Sequence, residues 1–225
     1  MSGQVLFRLS GGTLIAGGVS GVIAHFLHLQ YHPSQPSEVL PYVSKSEPVH
    51  ALLFAAVLLV LLGLPALLVR LREKIGIVGF AGFVLLYFGL VFGEWLHCIL
   101  EIGIYPALAH VVPNDMIAVV NRMYEGRSPY ALLEFVGGWL LLAGALIVGI
   151  SMLDSHIFPR WNALLMLATD LGALLAFTPW THWMVGGRWP AVLYFSFVAI
   201  GYSLIKSAVL AQASPNTATS VAAGD

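Results

Sequence analysis

The chain of 225 residues is 59% hydrophobic and 9% charged, with ten Lys+Arg against eleven Asp+Glu and a net charge of −1; its mean hydropathy is +0.87. Soluble domains carry roughly 25% charged residues, so there is too little polar surface to cover a globule in water, which excludes a soluble enzyme, a disordered chain and a nucleic-acid binder. One cysteine excludes a disulfide framework or a cysteine zinc site, and what remains is an integral membrane protein with eight histidines, although ionisable groups are costly in hydrocarbon.

A spanning helix needs about 20 mainly apolar residues. Six stretches qualify, approximately Leu9 to Leu29, Ala51 to Val69, Ile75 to Ile104, Ala131 to Leu153, Trp161 to Trp180 and Ala191 to Gln212. The first lacks the charged start and small-residue cleavage site of a signal peptide. No period-2 alternation recurs, so the fold class is all-α: a polytopic transmembrane helix bundle of about six spanning helices. Residues 1–212 form one bundle domain, and 213–225, small and polar, form a disordered tail.

With a cytoplasmic N-terminus, the inner side carries Arg8, Arg70, Arg72, Lys74, Arg160 and Lys206, and the outer side Lys45, Arg122, Arg127 and Arg188. The tight Arg70–Lys74 turn belongs inside, so both termini are expected to be cytoplasmic, in a bacterial inner membrane. Trp161 marks one interface, and Trp180, Trp183 and Trp189 the other. The segment Gln30 to His50 holds four prolines and is not expected to be helical throughout. In the other long outer segment, Asn114 and Asp115 precede a short amphipathic helix that would lie on the outer surface. Gly17–Gly21 and Gly89–Gly93 have the spacing of close helix packing.

The first span carries His25, His28 and His32, and the third Glu94, His97 and Glu101, both at i, i+3 and i+7. At about 100° per residue each set forms a narrow stripe. Both stripes approach the outer surface, where His50, Glu134 and His182 join them; Asp170 lies midway along the fifth span, and only His156 falls inside. His, Glu and Asp together hold a divalent metal (iron, zinc or copper), whose charge offsets that of buried carboxylates. The metal ligands would come from His25, His28, His50, Glu94, His97, Glu101 and His182. Glu-x-x-His is also the spacing of bundle dimetal sites. A haem b would need only two axial imidazoles, such as His28 and His97. Without a metal, Glu94 and Asp170 could act as acid and base on a lipid or terpenoid, with Glu134 a further catalytic candidate.

Blander readings stand beside these. His32 and His50 suit helix ends, His110 suits a loop, Cys98 points off the stripe into the core, and Lys206 snorkels to the surface. No nucleotide-binding loop, serine elbow or His-Glu-x-x-His stretch occurs. Leu-x-Tyr-His-Pro at 29–33, Pro-Val-His-Ala-Leu-Leu at 48–53, Phe-Pro-Arg-Trp at 158–161 and Gly-Tyr-Ser-Leu at 201–204 resemble small six-helix bacterial integral membrane proteins of uncharacterised function. The resemblance implies the bundle and supplies no activity.

The expected function is a membrane oxidoreductase with a His/Glu metal or haem site near the outer leaflet, acting on a lipid-soluble substrate. The alternatives are the metal-free isomerase or cyclase and a non-enzyme: a transporter, a pigment-binding protein or a subunit of a membrane complex. The partners expected are the bilayer and a lipophilic small molecule, with a membrane-protein partner or a second copy left open and nucleic acid excluded.

Overall fold

The computed structural model describes residues 3–29, 31–124, 128–176, 178 and 188–213. These residues form seven helices and no strand: α1 (Gly3–Leu27), α2 (Pro36–Leu71), α3 (Gly76–Val111), α4 (Pro113–Tyr124), α5 (Pro129–Ser155), α6 (Arg160–Ala176) and α7 (Pro190–Ala213). Five of them, all but α4 and α6, are long and apolar enough to cross a membrane. Leu62, Ile77, Phe135 and Leu174 lie exposed on the outside, each 65–79% accessible. In water such a surface would be costly, and in lipid it is the natural exterior.

The six long helices close into a ring. α1 packs on α2 and α7, α2 on the C-terminal half of α3, α3 on α5, α5 on α6, and α6 on α7. Glycine allows two of these approaches. A Cβ at Gly137 of α5 would strike the backbone of Gly93 on α3, and one at Gly21 of α1 would strike the Tyr194 ring of α7. The small-residue spacing noted at Gly17–Gly21 and Gly89–Gly93 therefore sits in helix interfaces.

Several element bounds depart from expectation. α2 begins at Pro36 and runs through Pro41, Pro48 and Pro65, fifteen residues before the expected Ala51. Each internal proline forfeits a backbone hydrogen bond, which packing of a membrane helix tolerates. Ser34 N and Gln35 N donate to Glu38 Oε2 at 2.9 and 3.3 Å and fix this early start. α4 begins at Pro113, so Asn114 and Asp115 occupy its first turn instead of preceding it. The expected fifth span extended to Trp180; the described helix ends at Ala176, and Trp180, Trp183, His182 and the tail from 214 lie outside the described residues.

Apolar packing falls into two clusters. The larger joins the ring helices around residues such as Leu64, Leu86, Val148 and Phe197. The smaller joins Val39, Tyr42 and Val43 of the α2 extension to Leu100, Tyr105 and Ala109 of α3 and Met116 and Val120 of α4. The extension and α4 thus cap one end of the ring, and the polar groups lie beneath that cap.

Candidate metal centre

α3 interrupts its α-helical winding twice, with π turns at Leu90–Trp95 and Leu100–Ile104 around a single α turn, Leu96–Ile99. Glu94 lies in the first π turn, His97 between the two, and Glu101 in the second. A π turn acts as a one-residue insertion and recurs at functional sites. It re-aims the polar side chains of the third span toward α1 and α2.

Three imidazoles converge there from three elements. His50 Nε2 of α2 lies 3.0 Å from His28 Nε2, just beyond α1, and 3.1 Å from His97 Nε2 of α3. All three nitrogens fall within 4.8 Å of one another. His50 Nδ1 donates to the Ser46 carbonyl at 2.9 Å, which leaves a bare lone pair on Nε2. His97 Nδ1 lies 3.3 Å from Glu134 Oε1 and 3.3 Å from Tyr130 OH, which turns its Nε2 inward in the same way. Burial, reinforced by His50 and His97, pushes the pKa of His28 down to about 3, so its ring is neutral at neutral pH.

The Nε2 lone pairs of His50 and His97, which face one another across about 3 Å, repel unless a cation or the ring N–H of His28 lies against them. Three nitrogens held about 2.0–2.1 Å from a tetrahedral ion stand roughly 3.3–3.4 Å apart, close to the spacing found. A haem on His28 and His97 has no room, because His50 Nε2 occupies the space where the porphyrin would lie.

The other expected residues take distinct places. Glu101, 2% exposed, accepts from Tyr42 OH at 2.9 Å and Ser46 Oγ at 2.5 Å. It stands behind His50, 3.9 Å from Nδ1, and 3.9 Å from His32. Glu134 stands behind His97. Glu94 pairs with His25 at 3.2 Å, and His25 lies against the Tyr194 ring, centroids 5.2 Å apart. Asp170 of α6 has a buried Oδ2 with no hydrogen-bond partner among the described residues. Cys98 is buried, as expected of a core residue. His110 and His156 are exposed, the latter as the left-handed cap of α5 with φ 55°.

Tyr42, Ser46 and Tyr130 were not anticipated. The first two stand eight and four residues before His50, on one helical face, a signal visible only once α2 extends through Pro48. Comparison of the chain with protein-family models, curated proteins and solved structures found no match.

Proposed function

We propose that the protein is a membrane-embedded metalloenzyme that holds an iron, zinc or copper ion on His28, His50 and His97 and acts on a lipid-soluble substrate. One observation carries this reading: three imidazole Nε2 atoms meet at 3.0 and 3.1 Å, with two of the rings set by hydrogen bonds on the opposite nitrogen. That is the arrangement of a three-ligand metal site with a position left for water or substrate. Nitrogen donors of this kind suit zinc, copper and iron. In this reading α6 completes six crossings, α4 lies on the outer surface, both termini face the cytoplasm, and the ion sits near the outer leaflet. Support comes from α2, whose His50 and Arg70 are twenty residues apart, about 30 Å along the helix.

The test is elemental analysis and an optical spectrum of untagged protein in detergent. About one ion per chain, lost on His50→Ala, supports the reading. Iron or copper would make the enzyme the oxidoreductase expected from the sequence, and zinc would make it a Lewis-acid catalyst. No ion, or a Soret band, would refute the three-histidine centre.

A further inference from the structure

α3 and α5 run antiparallel and touch through small residues. Gly79 stands against Ser151, Gly82 against Ile147 and Gly89 against Leu141, so the start of α3 meets the end of α5. Beside this contact, at the end of the ring opposite the polar cap, a groove of about 220 Å³ opens to the outside. Its apolar wall is formed by Val78, Ile147 and Ile150, and its polar rim by Lys74, Ser151 and Asp154. Lys74 lies in the turn just before α3, whereas Ile147, Ile150, Ser151 and Asp154 share one face of α5 at i, i+3, i+4 and i+7.

Lys74 and Asp154 carry opposite charges on the rim of this one groove, yet among the described residues neither forms an ion pair. In the same turn Arg72 and Glu73 do pair, at 3.9 Å. The groove therefore holds a cation and an anion apart, above a wall whose Val78 and Ile150 are 66% and 47% exposed to the surrounding lipid. That is the complement of a phospholipid whose headgroup carries both charges: phosphate against Lys74, ammonium against Asp154, and the first acyl carbons along Val78 and Ile150. The groove has roughly seven times the ~30 Å³ share of one water, so a headgroup fits within it. A primary ammonium donates hydrogen bonds to a carboxylate, which a quaternary choline cannot do. An anionic headgroup brings no cation for Asp154 and is repelled by it.

We propose that the groove between the start of α3 and the end of α5 binds one phospholipid of the phosphatidylethanolamine class, zwitterionic and with a primary amine. The site lies at the far end of the ring from the three imidazoles and needs none of them, so it stands or falls apart from the metal centre.

The experiment reconstitutes the full chain in an equimolar mixture of dioleoyl phosphatidylethanolamine, phosphatidylcholine and phosphatidylglycerol and counts the retained lipids by native mass spectrometry. The wild type should retain about one phosphatidylethanolamine per chain, about fivefold over either competitor. Asp154→Asn should equalise ethanolamine and choline. Lys74→Gln should lower retention of all three lipids by about fivefold. Arg72→Gln, a change of charge outside the groove, should leave the pattern as it is. No preference in the wild type, a preference that survives Asp154→Asn, or a loss in Arg72→Gln as large as that in Lys74→Gln would each overturn the proposal. All three side chains are exposed, so substitution there spares the packed interior and the variants fold.

Discussion

His50 and His97 bring their Nε2 atoms to 3.1 Å while each ring is anchored through its Nδ1 side, His50 by the Ser46 carbonyl and His97 by Glu134. Neither ring can turn away without breaking that anchor. Replacement of His50 by Leu should abolish stoichiometric metal, a loss larger than the roughly 10- to 100-fold that supporting residues cost. The variant should keep its helical circular dichroism, because the apolar clusters on both sides remain. A variant with undiminished metal would show that His50 is not a ligand.

Tyr42→Phe leaves Glu101 Oε1 without its 2.9 Å donor in a site that is 2% exposed. A buried acceptor left unpaired costs about 1–3 kcal/mol, and the unfolding midpoint in detergent should fall accordingly. An unchanged midpoint would mean that water reaches Glu101.

Gly137→Leu puts a side chain into the backbone of Gly93, next to Glu94. Overpacking of this kind costs about 1–3 kcal/mol or more, and α3 must shift away from α5. Both stability and metal affinity should drop together, as followed by thermal unfolding and metal titration. Loss of stability alone would show that the approach of α3 to α5 does not position His97.

The π turns make a sharper prediction. Deletion of Val91 from the stretch Leu90–Trp95 would excise the extra residue and restore ordinary helical winding there. The helix on either side of an excised insertion keeps its mutual orientation, so His97 and Glu101 stay in place, whereas Glu94 inside the turn is re-aimed away from His25, its partner at 3.2 Å. Metal binding should persist while the unfolding midpoint in detergent falls. Lost metal binding would mean that the turn also aims His97.

Much of this arrangement is readable from residue spacing. The stripes His25–His28–His32 and Glu94–His97–Glu101 mark one polar face on each of two helices without saying that the faces meet; in the structure His25 meets Glu94 at 3.2 Å and the rings of His28 and His97 stand 5.8 Å apart. His50 was expected as a ligand or a supporting group at a helix end; its central place depends on α2 continuing past Pro48, where proline argues locally for a break and the cap cluster outweighs it. The π turns leave no trace in Leu-Val-Phe-Gly-Glu-Trp, because winding is set by how α3 packs on its neighbours. Glu101 and Glu134 are recognisable as acids near the site, yet only geometry assigns them to the far side of two imidazoles. Whether His182 approaches the cluster lies outside the described residues.

X-ray absorption at the metal edge, on untagged protein as purified, tests the three-histidine centre most directly. The structure predicts one ion per chain with three imidazole nitrogens at about 2.0–2.1 Å, and loss of that imidazole signature in a His28→Ala, His50→Ala, His97→Ala triple variant. An ion with a carboxylate- or thiolate-dominated shell, or one that survives the triple substitution, would contradict it.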